Sequence, residues 1–184
     1  MRQEDVASEC GVSLGLVSKT VRKLEVARAV EATRSGVRVL SPARLLNLWA
    51  AEHDMSKDLW QMFRLDPAAE VEKDLPRDVL VTGFSGWCSV SGRRPAEYDR
   101  LFFYVTDKES FDLWLSFRKE RMRRTNPNVF VLCVDDEHLV RSSEKGVVCV
   151  PQVYVDVYSA NGPEASPFLR DIAAVYPSLS LWEV

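Results

Sequence analysis

Residues 3–28 read QEDVASECGVSLGLVSKTVRKLEVAR, two short amphipathic segments on either side of Cys10-Gly11-Val12-Ser13. Ala7 is small enough to let the first segment lie close against the second. Gly11 can take the positive φ of a tight turn at no steric cost. The Ser13 hydroxyl can satisfy an orphan amide, so it is expected to cap a second helix from Leu14 to about Arg28. Val6, Val12, Val17, Val21 and Leu24 recur at helical spacing and predict an inward seam. Ser18, Lys19, Arg22 and Lys23 then face outward, a surface that suits phosphates and base edges in a major groove. The stretch predicts a helix-turn-helix whose contacts to double-stranded DNA come from Ser13, Ser18, Lys19, Arg22 and Lys23.

The residues that follow extend this reading. Ala29–Thr33 and Val37–Leu40 are short strand-like runs around Arg34-Ser35-Gly36. They predict a hairpin whose Arg34 and Arg38 touch the DNA backbone or minor groove. The run resembles bacterial and archaeal winged-helix regulators, in which GVS-x-x-x-VS-x-x-x-x-x-LE is a familiar pattern. It departs from them at Met1, which lies almost against the first motif helix, so either the fold is trimmed there or another segment fills the place of the helix that usually precedes it. A winged helix used only for protein contacts is the alternative reading of the same residues.

The chain carries a formal charge of −3, which argues against indiscriminate nucleic-acid binding. The charge is uneven, however: residues 1–50 hold eight Lys/Arg against five Asp/Glu, and the remainder sixteen against twenty-two. A basic head on an acidic body directs one face toward DNA. The polar N-terminus has no apolar run like that of a signal peptide, and no stretch is long enough to span a membrane, so a cytoplasmic protein is expected. Cys10, Cys88, Cys133 and Cys149 are scattered through apolar or helical patterns and are expected to be buried free thiols. Together with His53 and His138 they lack ligand spacing, and no metal site or cofactor is expected.

A helix is expected from Pro42 to about His53, with Leu45, Leu46, Leu48 and Trp49 apolar, and a second from Ser56 to Phe63. These segments, Leu45–Trp49 and Leu59–Phe63, are candidates for a homodimer contact. An acidic, proline-marked stretch from Asp66 to Asp78 follows. From Val79 the texture becomes α/β. Strands are expected at Val79–Val81, Leu101–Val105, Val129–Val134 and Val147–Val150, and their lack of alternation predicts a sheet covered on both faces. Helices are expected at Ser85–Val90, at Lys108–Arg124 capped by Asp107, from Pro151 through Tyr158, and from Pro163 to about Pro177. The domain plan is therefore residues 1–50 as winged helix-turn-helix, 51–75 as helical connector, and 76–184 as an α/β domain with a small mixed sheet, an α+β or α/β chain overall.

The strand ending in Thr82-Gly83, the helix after it, the arginine-bearing loop at Arg93-Arg94, the aromatic strand LFFYV and the late PQVYVDVY carry a second resemblance. With the N-terminal motif, the chain resembles the AbiE-type antitoxins, regulators of type IV toxin–antitoxin operons. That resemblance implies an autorepressing transcriptional regulator, with a cognate toxin as a partner, and gives Thr82, Gly83, Pro151, Gln152, Tyr154, Asp156 and Tyr158 marked positions. The sequence departs from the family where bulky Phe84 and Trp87 interrupt a helix of small residues.

A catalytic reading competes for the same region. Gly83-Phe84-Ser85 with Asp99 faintly resembles a nucleotidyltransferase, whose chemistry needs two carboxylates alternating on one strand face to hold magnesium. Asp99 is followed two residues later by Leu101, so the second ligand is missing, and no catalytic residue is assigned. Asp135-Asp136-Glu137 reads as a solvated loop. Asp156 lies among apolar neighbours and reads as structural, through capping or an arginine partner. Arg118, Lys119, Arg121, Arg123 and Arg124 form a basic run that offsets a helix dipole or offers a second anionic contact. The residues thus favour a sequence-specific repressor that dimerises on its own promoter. A DNA-processing or nucleotidyltransferase-like enzyme and a protein-interaction module remain as alternatives.

Overall fold

The computed structural model describes residues 1–133 and 137–179. The chain divides into two units, one of residues 1–52 with the segment from Ala173, the other His53–Ile172.

In the first unit, α1 (Gln3–Glu9) and α2 (Leu14–Val26) flank a turn in which Gly11 has φ +63°. The Ser13 hydroxyl accepts from the Leu16 amide at 3.2 Å, the expected N-cap. Ala7, Val17 and Val21 are buried and Val6 and Leu24 pack partly against them, but Val12 leaves the expected seam and is 39% exposed. It sits inside the turn, where the helical spacing no longer holds. The strands β1 (Val30–Thr33) and β2 (Gly36–Val39) form an antiparallel hairpin closed by Arg34-Ser35. Leu45 and Leu48 of α3 (Pro42–Glu52) pack on the same core, while Leu46 is buried.

Gly36 has φ +136°, and the Val37 amide donates to the Met1 carbonyl at 2.8 Å. A Cβ at Gly36 would overlap that carbonyl. Gly36→Ala is therefore expected to cost about 1–3 kcal/mol, from backbone strain and from detaching Met1 from β2. Urea unfolding checks this, and an unchanged midpoint would refute it.

The second unit is built on a mixed sheet with strand order β3-β6-β5-β4, where β3 is Leu59–Phe63, β4 Val79–Thr82, β5 Leu101–Val105 and β6 Val129–Cys133. β5 runs parallel to β6, and both outer pairs are antiparallel. Leu101, Phe103 and Val105 point to one face with Val129, Val131 and Phe63. There they meet α4 (Ala68–Lys73) through Val71 and α6 (Lys108–Ser116) through Phe111 and Leu115. The opposite face, bearing Phe102 and Tyr104, meets α5 (Gly83–Ser91) and α8 (Val150–Ala160). α7 is Glu137–Arg141, and α9 is Ala165–Val175. Every residue of β5 is buried, as its unalternating apolar run predicted.

Several expectations are corrected. Ser56–Phe63 is not a helix: a 3-10 turn, Met55–Asp58, leads into β3. A short apolar run fits either period, and pairing with β6 decides it. Of the segments expected to meet a second copy, Leu45 and Leu48 pack on the head core, Leu46 is buried and Phe63 lies in the sheet core, while Trp49 and Met62 are exposed. The helix from Lys108 stops at Ser116 instead of Arg124, and Arg64 and Arg123 instead exchange backbone hydrogen bonds of 2.7 and 2.9 Å. Val147–Val150 is not a full strand. Gly146 and Val148 bond the backbone of Val81 and cover the open edge of β4, while Val150 already belongs to α8 because Pro151 favours a first helical turn. Val134, Asp135 and Asp136 lie outside the described residues, whereas Glu137 opens α7 and pairs with Arg141. Cys10 is exposed, contrary to expectation, and the other three cysteines are half-buried free thiols. No helix among the described residues is long and apolar enough to cross a membrane.

Candidate functional site

The first candidate surface is the outer side of α2 with the tip of the hairpin. Lys19 and Arg22, three residues apart, share one exposed face of the helix, and Arg34 is exposed at the β1–β2 turn. Among the described residues none of these three side chains is held in an ion pair. The other expected contacts are tied internally. Ser18 is only partly exposed and donates to Gln3 Oε1 at 2.7 Å, which holds α2 to α1 and withdraws it from the outer face. Lys23 pairs with Glu52 at 2.5 Å and Arg38 with Glu31 at 2.6 Å. The Lys23 and Arg38 side chains remain about two-thirds exposed or more, at 71% and 67%. Exposed pairs of this kind contribute only about 0–1 kcal/mol, so an incoming phosphate can replace the carboxylate at small cost. Ser13 keeps its hydroxyl on the Leu16 amide, at the helix N-terminus where an anion is favoured.

The basic run after α6 is divided in the same way. Arg118 pairs with Asp74 and donates to the Trp114 carbonyl, and Arg121 reaches Glu70 and the Asp66 carbonyl. These bonds tie the segment to α4 and the loops around it. Lys119, Arg123 and Arg124 are exposed and carry no side-chain ion pair among the described residues. Because the helix ends at Ser116, it is Arg118, bonded to the Trp114 carbonyl, that meets the last turn of α6 and its dipole.

A buried polar cluster in the second unit was only partly legible in the sequence. Asp156, fully buried on α8, accepts on Oδ1 from His53 Nε2 (2.9 Å), Gln152 Nε2 (2.9 Å) and the Tyr104 hydroxyl (3.2 Å). Its Oδ2 accepts from the Thr82 hydroxyl at 2.6 Å. The expected arginine partner is therefore a histidine. Nearby, the Met55 amide donates to Ser159 Oγ at 3.1 Å. The hydrogen bond to Asp156 raises His53 above its ordinary value, opposed by burial and aided by the Asp156, Asp58 and Asp54 charges. Burial, then the Asp156 charge, pushes the Tyr104 phenol far up, so it stays a donor. Burial also raises Asp58. Asp156 thus spends its acceptor capacity inside the protein and ties α8 to β4, β5 and the chain at His53.

Three positions marked by the family resemblance, Thr82, Gln152 and Asp156, meet in this cluster. Gly83 turns the chain from β4 into α5 with φ +62°, against the Phe102 ring. Pro151 sits in the first turn of α8, Tyr154 is buried, and Tyr158 is exposed. Phe84 and Trp87, the departures from the family pattern, are both fully buried on α5. His53 and Tyr104 carried no local signal, one being at a helix end and the other inside an apolar strand. A lone aspartate in the apolar run VPQVYVDVY was the signal that a buried partner set existed. Asp99, the carboxylate of the nucleotidyltransferase reading, lies before β5 and faces Arg64 at 3.9 Å. Comparison with protein-family models, with curated proteins and with solved structures finds no match for this chain.

Proposed function

We propose that the N-terminal unit binds duplex DNA as a winged helix-turn-helix, and that the chain is a cytoplasmic transcriptional regulator of the AbiE-antitoxin kind, repressing its own promoter. The observation that carries this reading is the outer face of α2, where Lys19 and Arg22 stand exposed and unpaired among the described residues beside a Ser13-capped N-terminus. The hairpin tip adds Arg34 within the same unit. The acidic remainder of the chain repels DNA elsewhere and leaves the head as the favourable contact. One small head offers few base contacts, so useful specificity calls for two copies on half-sites about one helical turn apart. A cognate toxin is the further partner that the family resemblance suggests.

Lys19→Ala with Arg22→Ala is expected to weaken binding to the protein's own promoter. Each phosphate that the variant no longer neutralises should also reduce the log–log salt slope by about 0.9. Fluorescence anisotropy across a salt series measures both. A folded double variant with unchanged affinity and slope would refute the assignment.

A protein-interaction role draws on a different observation: Val12, Leu14 and Leu16 are all exposed around the turn and the start of α2. Under that reading the unsubstituted chain gives no salt-dependent promoter binding in the same titration.

A further inference from the structure

α6 is two-faced beyond what its own unit uses. Phe111 and Leu115 fill the sheet core, while Leu113 and Phe117, one turn apart on the opposite side, are 62% and 79% exposed. Phe117 caps the helix in αR geometry, so the two side chains continue one stripe. Charge is graded along that stripe. Glu109 and Asp112 stand exposed toward its N-terminal end, where Lys108 lies over the Trp60 ring, and Lys119 stands exposed shortly after Ser116 at its C-terminal end. Glu120 follows Lys119, but the run from Arg118 to Arg124 stays net positive.

We propose that α6 is the contact between two copies of this chain, packed antiparallel about a two-fold axis. A two-fold interface must be complementary to itself. Antiparallel packing lays Leu113 of one copy against Phe117 of the other. It also brings the Glu109–Asp112 end of each copy to the Lys119 end of its partner. Parallel packing would set like charge on like. The two helix dipoles also oppose favourably in the antiparallel arrangement. Asp112 accepts only a long bond from Gln61, at 3.4 Å, and Glu109 and Lys119 have no ion pair among the described residues, so these charges are available to a second copy. So short a helix buries less than a permanent dimer does, and association is weak and concentration-dependent. The proposal rests on this surface alone and not on DNA binding.

Sedimentation equilibrium of the full chain, without DNA, from low to high micromolar concentration tests it. A reversible monomer–dimer equilibrium is expected. Leu113→Asp with Phe117→Asp should weaken it by about tenfold or more, as removing central apolar anchors does. Both side chains are exposed, so that variant should still unfold in one cooperative thermal transition, which separates a damaged interface from a lost fold. Glu109→Lys should weaken the dimer severalfold, and adding Lys119→Glu in the same chain should restore it, because the axis pairs each position with the other. A chain that stays monomeric throughout overturns the proposal. So does a dimer indifferent to the Leu113 and Phe117 substitutions, or a charge swap that fails to restore association.

Discussion

Asp156→Ala is expected to lower the unfolding free energy by about 3–5 kcal/mol, the cost of removing one member of a buried charged cluster. His53, Gln152, Thr82 and Tyr104 would all lose the oxygen that accepts from them, in a site where Asp156 itself is fully buried. Asp156→Asn should cost less, because the amide oxygen can still accept while its NH2 group opposes a donor. Urea unfolding of the two variants measures the order, and equal, near-zero effects would refute the structural role. The same cluster makes stability depend on pH. The folded value of His53 lies above its unfolded value of about 6.5, so the protonated imidazole binds Asp156 more tightly than the neutral one does. That stabilisation is fully present below about pH 6.5 and is lost as pH rises through the elevated folded value. Denaturation midpoints should therefore fall from mildly acidic to mildly alkaline pH. His53→Gln should flatten that fall, and a parallel profile in the variant would exclude His53 as its source.

Trp87→Ala is the second substitution expected to have a large effect, again about 3–5 kcal/mol, from reduced burial and the cavity left behind. Trp87 is fully buried on α5, and its indole nitrogen donates to Asp171 Oδ2 at 2.8 Å while Arg93 pairs with the other oxygen at 3.0 Å. Beside it Phe84 packs on Phe168 with ring centroids 4.9 Å apart. Trp87→Phe keeps most of the ring volume and loses the bond to a charged acceptor, and should cost about 1.5–3 kcal/mol. The difference between the two variants, read from denaturant unfolding followed by circular dichroism, separates packing from hydrogen bonding. If alanine proves no worse than phenylalanine, the indole volume is not what stabilises α5. The large side chains on α5 let it meet α9 through Phe168 and the aromatic face of β5 through Phe102.

Much of the architecture was readable because its causes are local. Ser13 caps α2 through its own hydroxyl, Asp107 caps α6, Gly11 takes a positive φ, and Pro151 opens α8, each within a few residues of the feature it specifies. LFFYV is buried along its whole length because an unalternating apolar strand can be stable only between two covered faces. The exposure of Lys19 and Arg22 also follows from helical spacing alone.

What remained hidden depends on partners distant in sequence. Leu59–Phe63 became a strand because β6 lies alongside it, and the helix from Lys108 stopped early where Arg123 pairs its backbone with Arg64. Ser18 was drawn from the outer face by Gln3, while Lys23 and Arg38 stayed largely exposed but were paired with Glu52 and Glu31. Asp156 found His53, 103 residues away. By itself the sequence determined the two N-terminal helices around their turn, the cap and hairpin, and an α/β body. Tertiary structure alone decided which charges stay free and which meet in the interior, because ion pairs and buried hydrogen bonds require proximity in space and carry no period along the chain.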